Sequence, residues 1–395
     1  MNILRSEFHN RVERFQEVLR REGIEGVLLV QRADTFYFSG TAQNVHVYIP
    51  GAGHPVVLAY RDVGRAREES AWDVIPLTGI SKIPDLIEGA GLPVPQVIGM
   101  ELDVLPVSNF ERYRKAFPEG KFADVSFFVR MVRAVKSAWE LAQIEASGQV
   151  YQGLLDYAKQ VIRSGRTEIE LEIMLESEAR RLGHQGLVRV RGFGSEFYCS
   201  GLISGARGAV PGYFDGPVIG IGTSPAYPKG ASSATIQAGE PVLVDWVTMV
   251  DGYNIDQTRT LVVGEVSPEL RNAYETAVEV EERVRRALVP GRVTGEIYAE
   301  ILAWVRENTP YEHNFMGIGA TRVSFVGHGI GLELDELPTI SRGAKEVLAA
   351  GMVISVEPKF VFAGVGAVGI EDTMVVEGNT GARMLCNAPR DLIVL

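Results

Sequence analysis

Four carboxylates and one histidine are arranged in this sequence as two half-copies of one pattern. In each half, one acid ends an apolar run, and a second acid follows on the stretch that returns from the next turn or loop. The acids, two per half in chain order, are Asp245, Asp256, Glu357 and Glu371. His328 lies between the halves in a glycine-rich segment. Four carboxylates and one imidazole suit two divalent ions that share bridging oxygens, and such a pair can activate a water for hydrolysis.

The geometry of the first acid pair follows from a turn. Asp251-Gly252, between two runs rich in Val and Thr, is typical of a two-residue β-hairpin. If these two residues form the turn, Asp256 faces Val247 on the opposite strand. Side chains alternate along a strand, so Val247 and Asp245 share a face. The pattern therefore predicts that Asp245 and Asp256 are diagonal neighbours on one side of the ribbon, within joint reach of an ion.

At these residues the chain resembles the pita-bread metallopeptidases, which include aminopeptidase P, prolidase, methionine aminopeptidase and creatinase. The stretches that carry the resemblance are Asp245, 256–260 (DQTRT), 327–332 (GHGIGL), 356–358 (VEP) and 370–373 (IEDT). They match the family's metal-binding positions one by one and in order, and the layout is closest to that of Xaa-Pro dipeptidases. The resemblance implies two divalent ions bound by Asp245, Asp256, His328, Glu357 and Glu371.

The resemblance also implies a reaction. It implies a peptidase that removes the N-terminal residue from short peptides, as Xaa-Pro dipeptidases and aminopeptidases do, by a metal-bridging hydroxide with Glu357 as the proton shuttle. Manganese is the expected metal, and cobalt, zinc and iron are alternatives because such a ligand set accepts several divalent ions. No other cofactor is expected. Thr258 and Thr373, each two residues after a ligand, are expected to orient the ligands.

Three positions near the expected site depart from the family pattern. Asp335 lies seven residues after the ligand histidine, where these peptidases usually have a second histidine. Lys229 follows Pro228 where another histidine is usual, and Gly369 replaces an arginine. Asp335 and Lys229 are therefore candidate catalytic residues, which could pair across the pocket or hold a charged terminus of the substrate. The alternative is that Asp335 caps a turn before Pro338 and that Lys229 is solvated.

The segment 183–228 is rich in glycine, aromatic and arginine residues and is predicted to form a lid or a pocket wall. Arg189 or Arg191 could bind a substrate carboxylate, or both could pair with local acids on the surface. His184 could replace a missing histidine or satisfy a local hydrogen bond. Cys199 is expected to be a small buried residue rather than a nucleophile.

The elements that must position these residues form two predicted domains, 1–132 and 133–395. In the first, helical periodicity over 7–22 precedes a buried strand at 26–30, and short strands then alternate with helices as in an α/β layer. Residues 34–40 resemble the strand-and-turn signature of the creatinase N-terminal domain. The resemblance thus covers both domains, loosely in the first and tightly in the second.

The second domain is predicted to contain an internal duplication, in which two helices precede a ligand-bearing ribbon in each half. Thr167 with Glu170 predicts a capping box, and Ser267-Pro268 predicts another helix start. A pseudo-twofold arrangement would bring the two ribbons together, so that each supplies two acids to one site. The predicted fold class is α/β (α+β), a creatinase-type N-terminal domain followed by a pita-bread catalytic domain with internal pseudo-twofold symmetry.

Composition agrees with an ordinary globular enzyme. The 395 residues are 46% apolar and 23% charged. With 39 basic and 50 acidic residues the net charge is −11, so no binding to nucleic acid or to a membrane surface is expected. Two cysteines make no disulfide framework, and no secretory core or long apolar run is apparent. We expect a cytoplasmic protein, a homodimer as larger family members usually are, that acts on a short peptide or small molecule.

Two other functions remain open from the sequence. One keeps the fold and the metals but acts as a hydrolase or lyase on a small non-peptide molecule, which the altered positions 229 and 335 favour. The other is a noncatalytic scaffold, which the complete set of expected ligands argues against. Metal content separates the scaffold from the enzymes, and a peptide panel separates the two enzymes.

Overall fold

A computed structural model of the chain describes residues 3–192, 196–198 and 200–395. The chain divides into two compact units. The first contains the residues up to Arg133 together with Arg191 and Gly192, and the second contains Ala134–Val190 and the chain from Glu196 to Leu395. The boundary between residues 132 and 133 stays a prediction. Cys199, for which the sequence predicts a small buried side chain, lies outside the described residues.

The first unit is an α/β layer. The helices in this part of the chain are α1 (Arg5–Glu22), α2 (Arg32–Ser39), α3 (Val63–Glu69), α4 (Ile83–Gly89), α5 (Val107–Ala116) and α6 (Ser126–Ala134). The strands are β1 (Gly26–Leu29), β2 (Val45–Pro50), β3 (Val56–Ala59), β4 (Asp73–Pro76), β5 (Val97–Met100) and β6 (Lys121–Asp124). They form a mixed sheet in the order β4-β3-β2-β1-β5-β6, in which β1 is antiparallel to β2 and parallel to β5.

One sequence expectation in the first unit is wrong. Residues 34–40 are not a strand and turn but lie in helix α2 and its C-cap. The helix begins because the side-chain oxygen of Gln31 accepts a 3.0 Å hydrogen bond from the Asp34 amide, and it ends at Gly40, whose φ of 87° is left-handed. The consecutive aromatic residues of this stretch, 36–38, are all buried in the short helix.

The second unit carries all of the candidate ligands. Its helices of the described chain that follow α6 are α7 (Ala138–Val161), α8 (Glu168–Leu182), α9 (Pro268–Ala287) and α10 (Thr294–Asn308). Its strands are β7 (Ser200–Ser204), β8 (Pro241–Val250), β9 (Tyr253–Val262), β10 (Phe325–Gly329), β11 (Glu336–Ser341), β12 (Val353–Val356), β13 (Lys359–Phe362), β14 (Gly366–Gly369), β15 (Asp372–Gly378), β16 (Gly381–Met384) and β17 (Ile393–Val394). The sheets have the orders β17-β9-β8-β7, β11-β10-β12-β15-β16 and β13-β14.

The predicted duplication is visible in the order of elements. Helices α7 and α8 precede the β8–β9 ribbon, and α9 and α10 precede the β12–β15 ribbon. The predicted helix starts are confirmed, since Thr167 and Glu170 form a capping box and Ser267 caps α9 before Pro268. None of the helices within the described ranges is long and apolar enough to span a membrane.

Candidate metal centre

The first ligand-bearing ribbon has the predicted register. Asp251 and Gly252 form its two-residue turn, and both have positive φ (47° and 85°), as a twisted hairpin requires. Asp256 faces Val247, and Asp245 faces Thr258. Asp245 and Asp256 therefore lie diagonally on one face of the β8–β9 ribbon.

The second ribbon is interrupted at the site. Strands β12 and β15 are antiparallel, with Ser355 opposite Thr373. Glu357 follows β12 and Glu371 precedes β15, and the β13–β14 hairpin is inserted between these two acids. His328 lies on β10, directly opposite Ser355 of β12. The insertion lets both acids leave the regular sheet and approach the first ribbon.

The two ribbons bring the predicted ligands together. Ligand atoms of Asp256, His328 and Glu371 all lie within 4.8 Å of one another. His328 Nε2 is 3.8 Å from Glu357 Oε1 and 3.9 Å from Glu371 Oε1. Asp245 completes the set in the same pocket, whose empty volume is about 650 Å³ including space open to solvent. All five predicted ligands line this pocket.

The donor atoms fit a divalent cation. Asp256 Oδ1 is buried and accepts no hydrogen bond from the described residues. Burial, followed by the charges of Glu371 and Asp245, raises the pKa of Asp256 well above its ordinary value. His328 Nδ1 lies 3.0 Å from the carbonyl oxygen of Gly329 and donates to it, so in the neutral imidazole the lone pair of Nε2 is available to a metal ion. Unsatisfied carboxylate oxygen beside imidazole nitrogen is the donor set that such ions prefer.

Hydroxyl groups hold the ligands in place. Thr258 Oγ1 donates a 2.9 Å hydrogen bond to Glu371 Oε2. Thr373 Oγ1 accepts from the Asp256 amide at 3.1 Å and donates to the Asp256 carbonyl at 2.9 Å. Both threonines therefore contact a predicted ligand. Thr258 binds the carboxylate of Glu371, and Thr373 binds the backbone of Asp256. Ser355 Oγ, which the sequence analysis missed, lies 3.2 Å from Glu371 Oε1.

Lys359 is a second residue that the sequence analysis missed. Its side chain is buried, and its Nζ lies 2.7 Å from Glu357 Oε2, 2.9 Å from Glu371 Oε2 and 3.5 Å from Asp245 Oδ2. Burial disfavours the ammonium, but these carboxylates raise the pKa of Lys359 well above its ordinary value. The available signal was a charged residue inside the apolar run 358–362, because charges are depleted from buried strands.

Residues 142–378 match the model of metallopeptidase family M24, and residues 11–135 match the creatinase/prolidase N-terminal domain. The chain belongs to metallopeptidase family M24. It is therefore a metal-dependent hydrolase with the pita-bread fold, as the sequence resemblance implies, and its family binds divalent metal ions.

Several known proteins match almost the whole length of this M24 peptidase. A curated Xaa-Pro dipeptidase of Pyrococcus furiosus is 26% identical over 97% of this chain and 99% of its own length. Among solved structures, an Xaa-Pro dipeptidase from Bacillus anthracis is 26% identical with a TM-score of 0.82, covering 98% of this chain and 100% of that chain. The prolidase from Pyrococcus horikoshii is 25% identical with a TM-score of 0.80, covering 97% and 100%.

Burial changes the acidity of Glu357 in the metal-free site of this M24 peptidase. Burial raises the pKa of Glu357 to about 7, and Glu371 adds to the rise while Lys359 opposes it. A carboxyl group with a pKa near neutrality can both accept and release a proton at neutral pH. The shuttle role of Glu357 itself stays a prediction.

Lys229 and Asp335 line the pocket of the M24 peptidase but do not form the predicted pair. Lys229 Nζ lies 3.6 Å from the ring centroid of Phe197 and 3.5 Å from that of Phe214. It is buried and hydrogen-bonds to no described residue, so the alternative of a solvated lysine is also wrong. Asp335 is 56% exposed, with Oδ1 3.7 Å from His328 Nδ1. The two aromatic rings stabilise the ammonium in place of a carboxylate.

The segment 183–228 contributes the pocket wall that the sequence predicts. Phe197, Phe214 and the stretch 215–219 all line the pocket. His184 lies elsewhere, where its Nδ1 accepts a 2.9 Å hydrogen bond from the Met249 amide and burial lowers its pKa to about 4. The hydrogen-bonding alternative for His184 is therefore the one observed.

Arg191 is not among the described residues that line the pocket. It belongs to the first unit, where its guanidinium lies 2.7 Å from Asp34 Oδ2 and 2.7 Å from Asp103 Oδ2. The prediction that Arg191 binds a substrate carboxylate is wrong, because two acids already satisfy it. For Arg189 the structure shows a backbone contact, in which its carbonyl accepts from the Leu334 amide, and carboxylate binding by its side chain stays a prediction.

Proposed function

We propose that this M24 peptidase is an Xaa-Pro dipeptidase, which hydrolyses the bond between an N-terminal residue and a C-terminal proline. The observation that carries the proposal is the buried ammonium of Lys229, which lacks a described hydrogen-bond partner in the same pocket as the metal ligands. A buried cation that contacts aromatic rings but has no described hydrogen-bond partner favours an anionic group of the substrate. A dipeptide has a carboxylate one residue beyond its scissile bond, whereas a longer peptide does not.

Asp335 provides the opposite charge. It is exposed at the pocket beside His328, where it would accept hydrogen bonds from the substrate's amino terminus. A carboxylate and an ammonium in one small pocket match a zwitterionic dipeptide. The full-length similarity to proteins named Xaa-Pro dipeptidase supports the same substrate class.

The chain's own residues account for binding and proton transfer. When bound, divalent metal would supply Lewis acidity and an activated water, and residues among the five predicted ligands would hold it. Glu357 would take a proton from the attacking water and return it to the departing proline nitrogen. Thr258 would keep the Glu371 carboxylate in its orientation through the hydrogen bond described above.

We further propose manganese as the ion, a homodimer as the assembly and the cytoplasm as the compartment. Carboxylate oxygens with a single imidazole suit manganese among the divalent ions. The buried free thiol of Cys386 fits a reducing compartment. The dimer proposal rests on the family resemblance, and light scattering of the purified protein tests it.

A second function shares the metal centre but uses a small non-peptide substrate. The observation that favours it is that fixed charges stand at Lys229 and Asp335 where peptidases of this fold usually have histidines. A pocket with one cation and one anion accepts other small zwitterions as readily as a dipeptide.

A substrate panel on metal-stripped protein refilled with manganese tests the proposal. Ala-Pro and Leu-Pro should be cleaved much faster than Ala-Pro-Ala, and faster than the amide Ala-Pro-NH2, which lacks the carboxylate. Equal rates on the tripeptide and the dipeptide would indicate an aminopeptidase instead. Absence of turnover on every peptide, with metal bound, would support the non-peptide substrate.

A further inference from the structure

Lys359 has the surroundings of a bound cation. Its ammonium contacts Glu357 and Glu371 at hydrogen-bond distance and lies 3.5 Å from Asp245. Asp256 and His328 cluster with Glu371, whose carboxylate also contacts the ammonium, and His328 Nε2 lies 3.8 Å from Glu357 Oε1. The acids thus surround two positions for positive charge, and the ammonium fills one of them.

Lys359 lies on the face of strand β13 that is turned toward the carboxylates. Side chains alternate along a strand, so Lys359 shares a face with Val361. Val361 belongs to the same buried cluster as Leu243 of β8. Leu243 is two residues before Asp245 and shares its face. A lysine at position 359 is therefore aimed into the carboxylate layer by the backbone, whatever ion the site holds.

Gly369 provides the space for this lysine. It is the cross-strand partner of Lys359 in the β13–β14 hairpin. A Cβ at position 369 would lie 2.6 Å from Lys359 Cγ and 2.6 Å from the Pro358 carbonyl oxygen. Any larger residue would collide with the lysine stem and the adjoining backbone. The position at which the sequence lacks the usual arginine is therefore the one that accommodates the Lys359 side chain.

We infer that the Lys359 ammonium replaces one of the two predicted metal ions, so that this peptidase firmly holds a single divalent ion on Asp256, His328 and Glu371. A second ion would have to displace an ammonium that is within reach of three carboxylates and would then be repelled by it. The inference rests on the metal-binding part of the proposed function and is independent of the substrate. The Lys359 ammonium therefore limits the number of metal ions that the site binds.

Metal stoichiometry tests this inference without an activity assay. Metal-stripped wild-type protein and the Lys359→Met variant, which keeps the length of the side chain without its charge, are titrated with Mn²⁺ by calorimetry. After dialysis their manganese content is measured by elemental analysis. The wild type should retain one equivalent per chain and Lys359→Met two. The second ion should bind the variant about 100-fold more tightly than the wild type, as expected for removal of a like charge at close range.

Lys229→Met is the matched control, because it also removes a buried pocket ammonium but one that contacts aromatic rings and no ligand carboxylate. It should keep one equivalent. Two firmly bound equivalents in the wild type would overturn the inference, even if Lys359→Met did not fold. One equivalent in both wild type and a folded Lys359→Met variant, with folding checked by circular dichroism, would also overturn it, since the lysine would then not be what excludes the second ion.

Discussion

Thr258 and Glu371 contact each other at the junction of the two ligand-bearing ribbons. The Thr258 hydroxyl donates to Glu371 Oε2 at 2.9 Å, and the backbone groups of the same two residues exchange hydrogen bonds of 3.2 and 3.1 Å. One half of the duplicated domain therefore orients a ligand that belongs to the other half. Thr373 makes the reciprocal contact with the backbone of Asp256. Because of this exchange, neither ribbon can shift without moving the metal ligands.

Thr258→Val should weaken metal binding. Valine has the shape of threonine but cannot donate to the Glu371 carboxylate, so that ligand loses its fixed orientation. Loss of such a contact typically costs about 10- to 100-fold in metal affinity, and titration with Mn²⁺ measures it. Thr373→Val is the comparison, since its hydroxyl contacts backbone and not a ligand carboxylate. Wild-type metal affinity in Thr258→Val would refute the orienting role of Thr258, whatever affinity Thr373→Val showed.

Asp256→Ala and Glu371→Ala should each remove bound metal and nearly all turnover. Both residues belong to the cluster of ligand atoms within 4.8 Å, and Glu371 also contacts Lys359. Elemental analysis and initial rates on Ala-Pro provide the two readouts. Asp251→Asn is the matched control, because Asp251 is an acid of the same ribbon located at its turn, and asparagine tolerates its φ of 47°. Full metal content and full rate in either alanine variant would refute the site.

Rules that depend only on residues close in the sequence predicted much of the metal centre correctly. The Asp251-Gly252 turn fixes the register of a two-stranded ribbon, so the diagonal placement of Asp245 and Asp256 followed from counting residues. The helix starts at Thr167 and Ser267 followed from capping chemistry, which depends on residues at most three positions away. The convergence of the ribbons followed from the duplication.

Contacts between distant segments were not accessible in the same way. Lys359 reaches the carboxylates only because the β13–β14 hairpin turns its face toward β8, and no local pattern specifies that direction. Lys229 pairs with two rings instead of with Asp335 because Phe197 and Phe214 fold over it from a long irregular segment. For both lysines, contacts between distant segments determined the partner of the side chain, and no local pattern specifies such contacts.

Arg259→Met should destabilise the second unit by about 3–5 kcal/mol, the usual effect of removing one partner of a buried ion pair. Arg259 is fully buried and 2.8 Å from Asp372, and it also donates to the carbonyl oxygens of Thr258 and Glu371. Removal would leave the buried Asp372 carboxylate without its hydrogen-bonded cation, and only Arg390 Nε, 3.8 Å away, would then offset its charge. Urea unfolding measures the change. The double variant Arg259→Met/Asp372→Asn should recover part of the loss, and a single variant within 1 kcal/mol of wild type, well below the usual effect, would show that the pair contributes little.

Lys229→Met should lower kcat/KM for Ala-Pro by about 10- to 100-fold, which corresponds to one charge-assisted hydrogen bond of roughly 1.5–3 kcal/mol. The same variant should change kcat/KM for Ala-Pro-NH2 little, because the amide has no carboxylate for the ammonium to bind. The amide is thus the control within one protein. A proportional loss on both substrates would mean that Lys229 supports the pocket and does not bind the substrate's carboxylate.

The pH dependence provides an independent test of Lys229. Burial lowers the pKa of Lys229 to about 8, with Asp245 and Asp335 opposing the fall, so in the free enzyme the ammonium is present below pH 8 and is lost as the pH rises through that value. Because kcat/KM follows the ionisation of the free enzyme, kcat/KM for Ala-Pro should fall above about pH 8. The α-amino group of either substrate also titrates near pH 8, so the fall should be steeper for Ala-Pro than for Ala-Pro-NH2, and Lys229→Met should show only the shallower fall on both. An identical alkaline limb in the variant would assign that ionisation to another group and remove the reason for placing the substrate's carboxylate at Lys229.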